Sequence, residues 1–317
     1  MICDVSVIVP TYYSPFIGQA LASVLEQTVL PREIIVVDGS PETTRAELVR
    51  FQGKVIHIEQ APKGVSAARN TGIEAATSEF VALLDADDFW FRNKLELEIG
   101  ALQKHSHAGF SFSPVWNYCH SELKNIPSNP YLPKELIAWL GEHELADGAA
   151  MGSVYELLLS VNCVATSSVV AHRRALLEVD LFDESFNNGE DYDLWLRLAR
   201  RFPAVVFSRP TSRYRVHETG LSGSWHARAR LFYRYNIRVL ERHRAQFPSS
   251  LTRDAIAEHY SGFAYYLLCH GELKDARAMA ERSLQIQPNF AALRTYFEAR
   301  FPDGYAWLSR RLRRVRS

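Results

Sequence analysis

The 317-residue chain has only four cysteines, Cys3, Cys119, Cys163 and Cys269, scattered with no CxxC pair. This spacing excludes a disulfide scaffold and a cysteine-based zinc site, and fits reduced thiols in a cytoplasmic protein. Net charge is also missing: 36 Lys and Arg balance 36 Asp and Glu, which argues against a general nucleic-acid binder. Nor is there a long apolar run. The most apolar stretch, 154–171, is broken by Glu156, Asn162, Thr166 and Ser167, whereas a membrane span needs about 20 apolar residues. The opening Met1-Ile2-Cys3-Asp4 lacks the basic-then-apolar layout of a signal peptide, so a cytoplasmic location is expected. What remains is 47% hydrophobic and 23% charged residues, an ordinary folded composition over a length that suits about two domains.

The zero net charge hides a division. Residues 1–223 carry 28 acidic and 19 basic residues, and residues 224–317 carry 8 and 17. An acidic first part suits a metal or sugar site, and a basic second part suits an anionic surface. In the first part, β-rich runs at Val5–Val9, Glu33–Val37, Val55–Ile58 and Phe80–Leu84 alternate with predicted helices over 15–27, 42–51 and 64–77. Such alternation predicts crossover units and a mostly parallel α/β sheet. Ligands of such sheets sit beyond the carboxyl ends of the strands, which singles out Thr11, Asp38 and Asp85. A helix over 191–201 and a strand over 204–208 follow, and the texture turns helical and Arg-rich near residue 224. Residues 257–290 align with a 34-residue helix–turn–helix unit: Tyr260, Phe263, Ala264 and Leu267, then Gly271, then Ala276, Ala280 and Ser283, then Pro288. They resemble a tetratricopeptide repeat. With one unit only, a packed helical hairpin is favoured over a peptide-binding array.

Two acidic segments carry the chemistry. In Leu83-Leu-Asp-Ala-Asp-Asp-Phe-Trp90, three carboxylates follow a buried strand. Carboxylates crowded at a turn repel one another unless a cation neutralises them, and Mg²⁺ or Mn²⁺ prefers such oxygen ligands. Asp88 alone is explained as the cap of a helix beginning near Phe89, which leaves Asp85 and Asp87 for the metal. The second segment, Asn188-Gly-Glu-Asp-Tyr-Asp-Leu-Trp195, opens a helix with acidic residues. Taken alone it is explained by capping and the helix dipole.

Together with three further segments, these resemble the family 2 glycosyltransferases, which have the GT-A fold. The resemblance runs from Val5 to about Ser222. Val7-Ile-Val-Pro-Thr-Tyr12 resembles the opening nucleotide-binding strand and loop, and Glu33-Ile-Ile-Val-Val-Asp-Gly-Ser40 the second strand. Gly64-Val-Ser-Ala-Ala-Arg-Asn-Thr-Gly72 resembles the helix whose arginine contacts the nucleotide. Asp85-Ala86-Asp87 matches the DxD motif, and Glu190-Asp191 the ED motif. The resemblance implies nucleotide contacts from Pro10, Thr11, Tyr12, Asp38, Arg69, Asp85 and Ala86. It also implies a Mn²⁺ or Mg²⁺ ion on Asp87, with His217 of Ser212-Arg-Tyr-Arg-Val-His217 completing its shell. Asp191 becomes the base, Glu190 holds the acceptor, and the sugar is transferred with inversion. The donor implied is a UDP-sugar, although Asp38-Gly39 has one acidic residue where many members have two. The acceptor implied is a saccharide or a lipid-linked one, in surface polysaccharide or glycoconjugate synthesis. No QxxRW motif of processive synthases is present.

Two rivals remain on the sequence. A sugar nucleotidyltransferase calls for a Gly-rich, cationic loop after the first strand, which Pro10-Thr-Tyr-Tyr13 is not. A non-catalytic adaptor would have lost the acidic motifs, and both are present. The tail Arg310-Arg-Leu-Arg-Arg-Val-Arg316 holds five arginines in seven residues, which suits either peripheral contact with an anionic membrane or a solvated end. No base-stacking pattern accompanies it, so nucleic acid is not expected.

Overall fold

The computed structural model describes residues 2–40, 45–119, 130–143, 146–216 and 225–301. The chain divides into two compact units, Met1–Leu221 and Ser222–Ser317. His217 and the basic tail Arg310–Arg316 lie outside the described residues. No helix among the described residues is long and apolar enough to cross a membrane.

The first unit opens with β1 (Ile2–Thr11), α1 (Ile17–Leu25), β2 (Leu30–Asp38), α2 (Arg45–Val49), β3 (Ile56–Glu59), α3 (Val65–Ala75) and β4 (Phe80–Leu83). The four strands are parallel, in the order β3-β2-β1-β4. Seven successive residues of β1, Val5–Thr11, are buried. This is why the strand reads as a continuous apolar run and not as an alternating one. On α1, Ile17, Ala20, Leu21 and Val24 form the buried face, the spacing of a helix packed on a sheet.

The chain continues through β5 (Phe89–Trp90), α4 (Lys94–Lys104), β6 (Phe110–Phe112), β7 (Val115–Cys119), α5 (Lys134–Glu142), β8 (Ala149–Gly152) and α6 (Tyr155–Ser160). A 3₁₀ turn at Thr166–Ser168 leads into β9 (Val170–His172). Then come α7 (Arg173–Glu178), α8 (Glu190–Arg201), β10 (Ala204–Phe207) and β11 (Ser212–Val216). The main sheet has eight strands in the order β3-β2-β1-β4-β9-β6-β10-β8, with β9 antiparallel to both β4 and β6. A second sheet, β5-β11-β7, stands apart from it.

The helix expected to start near Phe89 is corrected here. Phe89 and Trp90 are buried and pair with Arg213 and Ser212 as a short strand, and the helix starts at Lys94. Asp88 is therefore no helix cap. A buried polar cluster fixes α4: Lys94 Nζ lies 2.6 Å from Glu98 Oε1 and donates to the Ser168 carbonyl at 2.8 Å. Glu98 also accepts from Thr211 Oγ1 at 2.6 Å and Ser111 Oγ at 2.9 Å. A buried ion pair is tolerated when its remaining lone pairs are satisfied in this way.

The second unit is helical: α9 (Trp225–Gln246), α10 (Ser250–Cys269), α11 (Leu273–Ile286) and α12 (Phe290–Arg300). Ser249 and Thr252 form a capping box at the start of α10. The turn into α11 uses Gly271 at φ +76°, a conformation glycine adopts without cost. Ala276 and Ala280 are fully buried, and Ser283 donates to the Ala257 carbonyl at 2.6 Å, so these two helices approach closely.

The fit of α3 on the sheet yields a stability prediction. A Cβ at Gly72 would lie 2.4 Å from Cγ2 of Ile8 on the buried β1. Gly72→Ala is expected to destabilise the first unit by about 1–3 kcal/mol through overpacking. Urea denaturation checks this as a lower midpoint at an unchanged slope.

Candidate active site

The parallel register aligns Thr11 with Asp38 and brings the β4 end beside them, so three strands deliver their carboxyl ends to one edge. Thr11 is buried and its hydroxyl has no hydrogen-bond partner among the described residues. Tyr12 follows it, largely exposed, with its ring edge-on to Tyr13 at 4.7 Å. Asp38 is buried at the end of β2; its Oδ1 accepts from the Ser40 backbone N–H at 2.8 Å, and His57 Nε2 lies 3.5 Å from Oδ2.

The Asp85–Asp88 loop leaves β4 with its carboxylates in different surroundings. Asp85 and Asp87 are partly exposed, and Asp88 is buried. Ala86 is buried, and its carbonyl accepts from Ser14 Oγ at 3.0 Å. Asp88 accepts from Ser167 Oγ at 2.6 Å and from the Arg215 backbone N–H at 2.8 Å. Burial, with the charges of Asp87 and Asp85 behind it, pushes the Asp88 carboxyl well above the usual range. The Arg215 side chain donates from Nε to the Asp87 carbonyl at 2.7 Å and lies 4.2 Å from the Phe16 ring centroid. It also bonds Gln19. Arg215 is thus a clamp on the loop backbone.

Arg69, on α3, joins this loop to the second acidic segment. Its Nη2 lies 2.7 Å from Asp85 Oδ1 and its Nη1 2.9 Å from Glu190 Oε1. The residue is only 4% exposed. Burial works against its charge, and Asp85 and Glu190 more than offset this, so its pKa is raised. The next residue, Asn70, exchanges two 2.9 Å hydrogen bonds with the Phe182 backbone. That pair holds the segment leading to α8 against α3. Gly189, at φ +84°, turns the chain into α8.

Asp191 follows Glu190 in the first turn. Its Oδ1 accepts from the Tyr192 backbone N–H at 2.7 Å and its Oδ2 from Thr166 Oγ1 at 3.2 Å. A helix start is expected to favour its ionised form. The structure reverses the balance: burial first, then the Glu190 charge, raise its pKa to about 7. A helix terminus is worth about 1 kcal/mol, too little to offset both. Of the expected site residues, then, Asp85, Arg69, Glu190 and Asp191 converge. Pro10, Thr11, Tyr12 and Asp38 line the neighbouring strand ends. Trp195 is fully buried in the core. Thr166 and Ser167 were not among the expected residues.

Residues 6–155 match the sequence profile of Glycosyl transferase family 2. The N-terminal unit is a family 2 glycosyltransferase domain. It has the GT-A-like α/β fold expected, with a mostly parallel sheet, and a helical C-terminal region follows. An uncharacterized glycosyltransferase of Rickettsia bellii is 30% identical over 218 residues, 67% of this chain and 29% of that protein. The UDP-Glc:alpha-D-GlcNAc-diphosphoundecaprenol beta-1,3-glucosyltransferase WfgD of Escherichia coli is 29% identical over 226 residues, 69% of this chain and 80% of that protein. The chain therefore spans less than a third of the first relative and four-fifths of the second. In fold it is similar to the mannosyltransferase PcManGT of Pyrobaculum calidifontis, solved with GDP-Man and Mn²⁺. The TM-score is 0.60 at 18% identity, over 94% of this chain and 80% of that one.

Among the described residues of the glycosyltransferase domain, no three His, Cys, Asp or Glu side chains converge to hold a metal ion by themselves. The residues present still fit a hard divalent cation. Asp85 and Asp87 offer oxygen donors at a partly exposed turn, and their charges are already felt by Asp88. Such a cation takes the rest of its shell from a bound ligand or water.

The Arg69 clamp gives a direct test. Arg69→Met strands Asp85 and Glu190 without their cation and is expected to cost about 2–4 kcal/mol. Urea denaturation checks this as a lower midpoint at an unchanged slope.

Proposed function

We propose that this domain transfers a single sugar from a nucleotide-diphosphate sugar, a UDP-sugar, to a hydroxyl of a saccharide or lipid-linked acceptor, with inversion at the anomeric carbon. The observation that carries this reading is the Arg69 bridge, which holds the Asp85 loop beside Glu190 and Asp191. In this reading, leaving-group chemistry and proton removal meet at one end of the sheet. The UDP preference draws on the donor named for WfgD and on Asp38, whose buried carboxylate suits an N–H of a base edge. Pro10, Thr11 and Tyr12 complete the nucleotide side.

Asp87, with Asp85, would hold the Mn²⁺ or Mg²⁺ ion, and His217 is proposed to join them. Such an ion neutralises charge developing on the departing diphosphate. Arg69 fixes Asp85 and, with Asp85 and Ala86, is proposed to contact the nucleotide as well. Glu190, tied through Oε1, steadies the acceptor. Asp191 takes the proton of the attacking hydroxyl, which approaches from the face opposite the leaving group, so one displacement inverts the centre. A base poised near 7 suits this task, because it is substantially ionised at neutral pH and still basic enough to accept. The biological setting we propose is bacterial surface polysaccharide or glycoconjugate assembly in the cytoplasm, with acceptors presented at the membrane's inner face.

Binding and turnover across a panel of UDP-, GDP- and dTDP-sugars, with Mn²⁺, Mg²⁺ or EDTA, tests the reading. Metal-dependent binding of one donor is expected, with turnover lost by at least about 100-fold in Asp191→Asn while donor binding persists. Wild-type kcat should rise with pH through about 7, since Asp191 must lose its proton to act. A protein that binds no sugar nucleotide with any metal would remove the proposal.

A further inference from the structure

We infer that the Thr166–Ser168 turn is a positioning element for the transfer reaction, with Thr166 orienting Asp191 and Ser167 setting the Asp85–Asp88 loop. This rests on Asp191 as the base. The three successive residues are all buried; Thr166 and Ser167 reach different parts of the site, and Ser168 ties the turn to α4. The Thr166 hydroxyl donates to Asp191 Oδ2 at 3.2 Å while the Tyr192 backbone N–H donates to Oδ1 at 2.7 Å. Both carboxylate oxygens are therefore held, and the plane of the group is set. Ser167 Oγ donates to Asp88 Oδ2 at 2.6 Å and accepts from the Asp85 backbone N–H at 3.0 Å. The Ser167 carbonyl accepts from the Trp90 indole at 2.8 Å, and that of Ser168 from Lys94 Nζ at 2.8 Å.

The turn runs straight into β9, which pairs with β4 on one side and β6 on the other. Its place is consequently fixed by the middle of the main sheet and not by a surface loop. Both acidic segments are thus referred to one rigid strand, which is what in-line attack demands of groups that must stay in register to within about 1 Å. The division of labour follows from the chemistry of each contact. A hydroxyl donated to a carboxylate favours its ionised form. Thr166 therefore acts with Arg69 on α3, against burial, Glu190 on α8 and Asp85 after β4. The Ser167 side chain touches only the donor-side loop, so its loss should be felt in donor binding.

The test compares Thr166→Val, Thr166→Ser, Ser167→Ala and Asp191→Asn. Affinity is read as UDP binding in Mn²⁺. Rate is read as nucleoside diphosphate release from UDP-glucose, or from whichever sugar of the panel the wild type turns over. Thr166→Val should move the acidic limb of kcat upward by roughly half to one pH unit and lower kcat at pH 6 roughly 3- to 10-fold. UDP affinity should stay within about twofold, and Thr166→Ser should restore the wild-type profile. Ser167→Ala should weaken UDP binding several-fold with the acidic limb in place, a comparison that stands even if Thr166→Val does not fold. A Thr166→Val profile that superimposes on wild type overturns the inference, as does a Thr166→Ser enzyme equally impaired. So does a Ser167→Ala enzyme whose acidic limb moves while its UDP affinity does not. Asp191→Asn separates the two levels: if it turns over like wild type, the base reading falls and takes this inference with it. If it is inactive and the Thr166→Val profile is unmoved, only the inference falls.

Discussion

Carboxylates brought together in a cleft repel one another, and the first unit concentrates Asp85, Asp87, Asp88, Glu190 and Asp191 at one end of its sheet. Arg69 is the buried cation that lets two of these groups sit together, at 2.7 Å from Asp85 and 2.9 Å from Glu190. Its fork of N–H donors matches two separate carboxylates at once, which an ammonium on a flexible stem would do less rigidly. Asn70 carries the same connection into the backbone through Phe182. The glycosyltransferase domain therefore assembles its two acidic motifs around one short stretch of α3, and the surrounding packing of that helix on β1 and β2 is what aims the stretch.

The three acidic residues of the Asp85–Asp88 loop show how burial sorts one residue type into different tasks. Asp88, closed off and bonded to Ser167 and the Arg215 backbone, acts as an anchor for the chain. Asp85 and Asp87 stay partly exposed, where they can meet a cation or a ligand. Arg215 belongs to the anchoring side of this division. Its guanidinium bonds the Asp87 carbonyl at 2.7 Å and sits against Phe16, so it braces the loop from beneath.

Much of the first unit was legible in the sequence because parallel strands buried on both faces leave near-continuous apolar runs, and residues 7–9, 34–37 and 80–84 are such runs. The acidic motifs were legible because grouped carboxylates after a strand have few purely structural uses. The short strand at Phe89–Trp90 was not legible: two residues carry no periodicity, and its pairing partner lies more than 120 positions away at Ser212 and Arg213. Thr166 and Ser167 left a signal that was read for something else. They interrupt the most apolar stretch of the chain, which excludes a membrane span, and hydroxyls in the middle of such a run also mark a place where buried polar partners await them. The raised pKa of Asp191 was only partly visible in one dimension: the neighbouring Glu190 charge is, but the burial that comes first, and the approach of Arg69 from α3, are not.

The position of β9 has a consequence for how the domain comes into being. The first four strands form a contiguous parallel group within the first 83 residues, but the strand that covers the flank of β4 begins only at Val170. During synthesis at about 5–20 residues per second, the β4 edge would stand open for several seconds with its backbone N–H and C=O groups unpaired. An open, apolar strand edge is a template for pairing with other chains. The same insertion that seats the Thr166–Ser168 turn in the middle of the finished sheet thus makes the nascent chain wait for its own closure, and shelter of that edge is a requirement of its biogenesis.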